Sequence, residues 1–145
     1  MEIEALVRKQ RDWFALGKTR SISFRIGALQ TLKKEILGNR AEIEAALAAD
    51  LGKSAFETYM CEIGMVLSEL HFMIRHVRSF AKDGRVPTPL AQFHAKSFTS
   101  AEPYGVVLVM APWNYPFMLA LEPVIGAIAA GNCVVVKPSA YAPAT

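Results

Sequence analysis

Two short runs of β-branched residues, with an apolar stretch between them, constrain the fold of this chain more than any other feature. Residues 105–110 read Gly-Val-Val-Leu-Val-Met, and residues 133–136 read Cys-Val-Val-Val. Parallel strands need a crossover connection of about a dozen residues or more, and the largely apolar residues 118–130 are long enough to supply it as a helix. The pattern therefore predicts one β-α-β unit of a parallel sheet.

Unusual polar residues follow each of the two predicted strands. Trp113 and Asn114 come after the first strand, and Lys137 comes after the second. The carboxyl ends of parallel strands meet at one edge of a sheet, and ligands of open α/β sheets bind outside that edge. We therefore expect these side chains to share one ligand-binding edge.

Apolar residues recur at helical spacing through the first half of the chain. The stripes lie within residues 3–14, 22–36, 43–51 and 59–81. They predict four helices that form a layer against the rest of the fold.

The longest predicted helix has a clear start. Ser54, with Glu57 three positions later, is typical of a capping box. Methionines at helical spacing more often fill a core than form a binding face. We therefore expect the three methionines of this helix to pack inside: Met60, Met65 and Met73.

Prolines mark the end of the helical half. Residues 85–90 read Arg-Val-Pro-Thr-Pro-Leu, and neither proline can donate a backbone hydrogen bond. Residues 93–102 are compatible with an exposed strand or hairpin arm. The predicted organisation is a helical region at 1–84, a proline hinge and strand arm at 85–102 that is a candidate oligomerisation element, and the β-α-β unit at 103–145.

Composition excludes several classes of function. Hydrophobic residues make up 52% of the chain and charged residues 20%, as in ordinary globular proteins, and the net charge is only +3. Basic residues are interrupted by acidic ones, so we expect no nucleic-acid partner. The longest uncharged run, residues 103–121, is broken by prolines and is no spanning helix of ~20 residues, so we expect no membrane segment in this portion.

Cysteines and histidines suggest neither a disulfide framework nor a metal site. Cys61 falls on a predicted helix and Cys133 in a predicted buried strand. No Cys or carboxylate cluster accompanies His71, His76 and His94 at metal-ligand spacing, so we expect no bound metal. Reduced thiols and the absence of a signal peptide at the start of the sequence predict a cytoplasmic protein.

Three short motifs cluster between the first predicted strand and the residues after the second. They read Ala111-Pro-Trp-Asn-Tyr-Pro116, Ala129-Ala-Gly-Asn132 and Val135-Val-Lys-Pro-Ser139. Together they resemble the NAD(P)-dependent aldehyde dehydrogenase superfamily. The short N-terminal helical region and the run Glu122-Pro-Val-Ile-Gly-Ala-Ile-Ala-Ala130 look most like its class 3 or fatty-aldehyde branch. The resemblance implies a Rossmann-like sheet, of which this chain holds the first β-α-β unit, with the N-terminal helices packed on the cofactor domain.

The resemblance also assigns roles to individual residues. Asn114 corresponds to the asparagine whose side chain donates a hydrogen bond to the oxyanion formed on the substrate. The segment of Met110, Ala111 and Trp113 is similar to the one that lines the ribose and nicotinamide end of NAD or NADP, and Lys137 to the lysine that reaches the adenosine ribose. From the residues alone, a turn at Asn114, a core position for Trp113 and a solvated Lys137 stay open.

In that superfamily a cysteine thiolate attacks the aldehyde, a hydride passes to the nicotinamide, and a glutamate-activated water releases the acid. The resemblance implies that this cysteine and this glutamate follow Thr145. Cys133 is not expected to be the nucleophile, because it lies in a predicted buried strand with no base beside it. We therefore expect the 145 residues alone to be inactive and the full-length oxidoreductase to be a homo-oligomer, either a dimer or a tetramer.

One position departs from the pattern. The family often has a glutamate three residues after the lysine, where it binds the ribose hydroxyls, and here that residue is Ala140. A carboxylate at this position would repel a 2′-phosphate, so its absence favours tolerance of NADP as well as NAD. Two roles are open for Ser139, a hydrogen bond to the ribose phosphate or a turn after Pro138, and the turn is favoured.

Three functions fit these residues. The first is oxidation of an aliphatic or aromatic aldehyde to a carboxylic acid by an NAD(P)-dependent aldehyde dehydrogenase. The second is reduction of an acyl-CoA or acyl phosphate by a related enzyme, which needs no hydrolytic base. The third is a non-catalytic interaction protein derived from the same fold.

Overall fold

Helices come first along the chain and the parallel strands come last. The structure is a computed structural model and describes residues 2–145. Its helices are α1 (Ile3–Ala15), α2 (Ile22–Gly38), α3 (Arg40–Leu51), α4 (Ala55–Thr58), α5 (Gly64–Phe80) and α6 (Pro116–Ala130). Its strands are β1 (Gly84–Val86), β2 (Ser97–Thr99), β3 (Val106–Met110) and β4 (Cys133–Lys137). A π-helical turn, Tyr59–Ile63, joins α4 to α5, and short 3₁₀ turns lie at Lys18–Arg20 and Leu90–Gln92.

The C-terminal part of the chain forms the predicted β-α-β unit. Strands β3 and β4 pair in parallel, and α6 is the crossover between them. Strand β4 runs through Lys137, one residue beyond the prediction, and α6 begins at Pro116. A proline is tolerated in the first helical turn because its missing N–H would have no partner there. The fold class, a helical layer followed by a parallel α/β unit, is confirmed.

The N-terminal helices follow the predicted stripes, with one local difference. Ser54 Oγ accepts a hydrogen bond from the backbone N–H of Glu57 at 3.2 Å, as the capping box predicts. The core position predicted for the methionines is wrong for Met60 and Met65, which are 54% and 48% exposed, whereas Met73 packs against the core. The π-helical turn holds one more residue than an α-turn. The side chains next to it therefore point in other directions than they would on a straight α-helix.

The hydrophobic core lies between α2, α5 and α6. Leu29, Leu70 and Ile125, one from each of these helices, have no exposed surface. Burying one such side chain contributes roughly 1.5–3 kcal/mol to stability. Further buried members are Ile36, Ile63, Val66, Val77 and Ala129. Because α6 belongs to both the core and the β-α-β unit, this packing anchors the parallel strands to the helical layer.

The buried side chain of Arg25 links the turn before α2 to the end of α6. The Arg25 side chain donates to the carbonyl oxygens of Thr19 at 2.8 Å, Arg20 at 3.1 Å and Ala129 at 3.3 Å. Gly131, which ends α6 with a φ of 92°, leaves room for the guanidinium, because a Cβ there would lie 2.6 Å from it. The arginine therefore satisfies a carbonyl at the end of α6 that the helix leaves unpaired.

The segment between the helices and the β-α-β unit forms a small hairpin. Strands β1 and β2 pair antiparallel, with Gly84 opposite Thr99 and Val86 opposite Ser97. Strand β2 lies inside the predicted arm, whereas β1 falls where the prolines predict only a hinge. The backbone of β1 can be extended there because β2 supplies its hydrogen-bond partners. The division of the chain into three regions stays a prediction.

The glycine after the π-helical turn generates a prediction about stability. A Cβ at Gly64 would lie 2.7 Å from the carbonyl oxygen of Tyr59, whereas a Cβ at Gly27 in α2 would meet no atom within 4 Å. We expect Gly64→Ala to destabilise the full-length protein by about 1–3 kcal/mol through this overlap. Gly27→Ala should stabilise it by up to about 1 kcal/mol, because alanine is the better helix former. Thermal unfolding followed by circular dichroism compares the two, and equal melting temperatures would contradict the π-turn geometry.

The parallel strands generate a prediction about the isolated chain. Leu108, Met110 and Val136 are 62%, 70% and 42% exposed. Exposed apolar strands with open edges pair with other chains, so we expect the 145-residue polypeptide alone to self-associate or to bind hydrophobic dyes strongly. Analytical ultracentrifugation and thermal denaturation provide the test. A monomer with a sharp cooperative transition is the opposite outcome.

Candidate functional site

The carboxyl ends of β3 and β4 lie side by side. Met110 is opposite Lys137 in the parallel register, and the backbone N–H of Ala111 donates to the carbonyl oxygen of Lys137 at 3.1 Å. Met110 is 70% exposed and Lys137 is exposed, while Ala111 is buried. The structure therefore brings three of the residues predicted to bind cofactor to one accessible edge.

The loop after β3 carries the other two predicted site residues. Trp113 is 54% exposed, which excludes a core position for it within this chain, and Asn114 is also exposed. Within residues 2–145 the Asn114 side chain makes no hydrogen bond, and its backbone carbonyl accepts one from Lys53 Nζ at 3.2 Å. The loop is therefore held through the backbone of Asn114, not through its side-chain amide.

Beneath this loop is a buried ion pair that the sequence analysis did not identify. Lys53 Nζ pairs with Glu62 Oε1, and their side chains are 8% and 0% exposed. The same ammonium lies 4.1 Å from the ring centroid of Tyr115. Glu62 Oε2 accepts hydrogen bonds from the backbone N–H groups of Phe117 and Met118, each at 3.0 Å. One pair of charged side chains therefore contacts both the loop and the start of α6.

The π-helical turn explains how Glu62 reaches this position. Glu62 lies within the turn and directly precedes the fully buried Ile63. A charged residue next to an apolar stripe is ordinarily assigned to the solvated face of a straight helix. The extra residue of a π-turn changes that assignment, and such turns occur often at functional sites. In the sequence, the only sign of this arrangement is a charged residue beside the apolar stripe. That sign does not indicate that the partner of Glu62 is Lys53, nine positions earlier.

Cys133 lies in the interior, as its sequence context predicts. The residue is 7% exposed, and its backbone N–H donates to the carbonyl oxygen of Gly105 at 2.8 Å. Burial raises the pKa of the Cys133 thiol above its ordinary value. A thiol in such surroundings stays protonated at neutral pH and is a poor nucleophile.

Side-chain oxygens also accept hydrogen bonds from the backbone of the residues that follow β4. Ser139 Oγ accepts a hydrogen bond from the backbone N–H of Tyr141 at 3.2 Å, which agrees with the turn predicted there. Asp50 at the end of α3 accepts from the backbone N–H groups of Ala144 and Thr145. Desolvation opposes ionisation of Asp50, but the hydrogen bonds from Thr145 and Ala144 outweigh it and lower the pKa of this carboxyl.

A concave region lies away from this edge. A cleft of about 220 Å³ opens between α2, α5 and α6, and Arg25, Met73 and Glu102 contribute to its lining. None of the predicted site residues lines this cleft. Among residues 2–145 there is also no group of three metal-ligating side chains, and no helix in that range is long and apolar enough to cross a membrane.

A parallel β-α-β unit with polar residues at its carboxyl edge is the arrangement found in dinucleotide-binding α/β proteins. The family model "Aldehyde dehydrogenase family" matches residues 1–145. Aldehyde dehydrogenase family 3 member B1 of Rattus norvegicus is 44% identical over 142 residues, which cover 98% of this chain and 30% of the relative. The chain therefore belongs to the aldehyde dehydrogenase family, and the resemblance to its class 3 branch is confirmed.

Solved structures agree with this assignment. The substrate-bound state of AldH from Staphylococcus aureus is 42% identical and superposes with a TM-score of 0.96 over 99% of this chain and 31% of that one. Glyceraldehyde-3-phosphate dehydrogenase GapN of Methanocaldococcus jannaschii, solved as a complex with NADP, is 26% identical with a TM-score of 0.84, covering 97% of this chain and 29% of that one. The chain thus spans about 30% of the length of these relatives.

Proposed function

We propose that this chain forms the amino-terminal part of an NAD(P)-dependent aldehyde dehydrogenase that oxidises an aliphatic or aromatic aldehyde to a carboxylic acid. The observation that carries the proposal is the shared edge of β3 and β4, where Lys137 is exposed and from which the loop with the exposed Asn114 continues. An amide donor and a cation at one sheet edge suit a developing oxyanion and a dinucleotide, respectively.

The residues at this edge fit NAD(P). Lys137 offers a cationic donor to ribose hydroxyls, and Met110 offers an exposed apolar surface next to it in the register. Ala111 has only a methyl side chain, so the backbone can approach a ligand closely at this point. Bound NAD(P) would supply the hydride acceptor for aldehyde oxidation. Ala140 is exposed and brings no carboxylate near a 2′-phosphate, so we include NADP with NAD.

Asn114 acts on the substrate oxygen in this proposal. When a thiolate adds to the aldehyde carbon, negative charge develops on the carbonyl oxygen, and the side-chain N–H of Asn114 donates a hydrogen bond to it. A neutral amide suits this role because it has no proton to lose, and one such donor is worth roughly 3 kcal/mol. The attacking cysteine and the glutamate that activates water are expected to follow Thr145, so the 145 residues alone would be inactive.

Compartment and assembly are part of the proposal. Cys61 and Cys133 are free thiols, which fits a reducing compartment, and we place the enzyme in the cytoplasm. The hairpin of β1 and β2 exposes Val86 and Phe98 at 41% and 58%. This exposed surface supports region 85–102 as an oligomerisation arm of a homodimer or tetramer.

Replacement of Asn114 tests the catalytic role. In the full-length enzyme we expect Asn114→Ala to lower kcat by about 100-fold or more, because one oxyanion donor is lost, with little change in the KM for NAD(P). Steady-state production of NAD(P)H measures both constants. Asn39→Ala, which removes an exposed asparagine at the end of α2, is the control and should leave kcat unchanged. Unchanged turnover in Asn114→Ala would remove this residue from the mechanism.

Replacement of Lys137 tests the cofactor edge. We expect Lys137→Ala to raise the KM for NAD(P) by about tenfold or more, since a hydrogen bond from a charged group is lost, while the KM for aldehyde stays the same. Lys34→Ala, an exposed lysine of α2, is the matched control and should change neither constant. The assignment is wrong if only the aldehyde KM responds to Lys137→Ala.

A further inference from the structure

We propose that the buried ion pair of Lys53 and Glu62 positions Asn114 for oxyanion binding, so that both charged residues are positioning residues of the site. The inference rests on the proposed function, because it gives these residues their effect through Asn114. It goes beyond that function in assigning a role to the π-helical turn, which carries Glu62, and to Lys53, which lies between α3 and α4. These two residues supply the charges that hold the loop.

Lys53 holds the loop at the residue that carries the amide. Its ammonium donates to the carbonyl oxygen of Asn114 at 3.2 Å and lies over the ring of the next residue, Tyr115. The lysine side chain is only 8% exposed, so water competes little for these contacts. The peptide group that follows the Asn114 Cα is therefore held in one orientation.

Glu62 holds the chain just after the loop. Pro116 opens α6 and has no N–H, and the next two N–H groups, those of Phe117 and Met118, both donate to Glu62 Oε2. The first N–H groups of a helix have no partner within it, and the helix dipole favours a negative charge at this end. Glu62 therefore fixes the start of α6 and, through the ion pair, the ammonium of Lys53.

The other end of the loop is held by the sheet. The backbone N–H of Ala111 donates to the carbonyl oxygen of Lys137, so the loop leaves β3 in a fixed register. Asn114 is thus held between two anchored ends, and its side chain points to no partner within residues 2–145. The charged pair contacts the loop side of the edge and makes no hydrogen bond to Lys137. We therefore expect it to affect oxyanion binding and not cofactor binding.

The charged side chains of Lys53 and Glu62 form hydrogen bonds that an apolar pair of the same volume could not form. Removing two charges from water is costly, and apolar side chains often replace a buried ion pair without loss of stability. An apolar pair, however, would leave the Asn114 carbonyl and two N–H groups of α6 without their partners. The charged groups are needed here as the donor to Asn114 and the acceptor for α6, and the experiment removes the donor and weakens the acceptor.

The test uses the full-length enzyme and a charge-neutral double variant, Lys53→Met/Glu62→Gln. Glutamine keeps the length of the glutamate side chain, and methionine is one atom shorter than lysine. The double change leaves no unpaired buried charge, and the glutamine oxygen can still accept from α6. The matched control is Lys34→Met/Glu35→Gln, which neutralises an exposed lysine and an exposed glutamate of α2 with the same replacements. Both variants are also made in the Asn114→Ala background, and kcat and the KM for NAD(P) are measured for all of them.

We expect Lys53→Met/Glu62→Gln to lower kcat by about 10- to 100-fold, because misplacement of a catalytic group by an ångström can cost about 100-fold. The KM for NAD(P) should stay within about twofold. In the Asn114→Ala background the same pair of changes should lower kcat no further, since its effect passes through the missing amide. The control pair should be neutral in both backgrounds.

Two results for the double variant overturn the inference and leave the proposed function intact. Full activity in Lys53→Met/Glu62→Gln, or an equal loss with and without Asn114, shows that the pair does not act through the amide. If Asn114→Ala itself retains full kcat, the proposed oxyanion donor is wrong, and the inference falls with it.

A second measurement needs no turnover. Hydrogen–deuterium exchange of residues 111–118 should be faster in Glu62→Gln than in the unchanged enzyme, because the acceptor of the Phe117 and Met118 N–H groups is weakened. Equal exchange rates would overturn the inference. This single change keeps the side-chain volume but leaves the Lys53 ammonium without its carboxylate. Helix α2, whose residues make no hydrogen bond to either charged side chain, is therefore the internal reference and should exchange at its unchanged rate.

Discussion

The parallel pairing of β3 with β4 is the interaction on which the rest of the site depends. It places Met110 opposite Lys137 and lets the N–H of Ala111 donate to the Lys137 carbonyl. A slip of one residue would turn every side chain of a strand to the other face of the sheet. The cationic edge and the loop of Asn114 are neighbours only because this register is kept.

The helical layer does more than cover the strands. Its apolar residues anchor α6, and two of its buried charged groups satisfy polar atoms at the two ends of that helix. Glu62 accepts from N–H groups at the start of α6, and Arg25 donates to the Ala129 carbonyl at its end. Buried polar groups are costly unless they are paired, so these contacts specify one placement of α6 against the helices.

Membership in the aldehyde dehydrogenase family gives these contacts a chemical context. This chain covers about 30% of its relatives and, in the proposed enzyme, contributes the oxyanion donor and part of the cofactor edge. Its buried cysteine is not suited to nucleophilic attack, because burial raises the pKa of the Cys133 thiol. In that proposal the division of work is electrostatic: these residues hold charges and dipoles in place for chemistry carried out by other groups.

Local patterns in the sequence determined the elements of this protein. The β-branched runs predicted both parallel strands, and the apolar stretch predicted α6. The positions of Asn114 and Lys137, each after a strand, led to the prediction that they share one edge of the sheet. Only the tertiary structure decided that Lys53 and Glu62 meet under that edge, and that Met60 and Met65 face solvent. Periodicity reports the hydrogen bonding and burial of a regular helix. It contains no information about a π-helical turn, or about partners that are distant in sequence and adjacent only after folding.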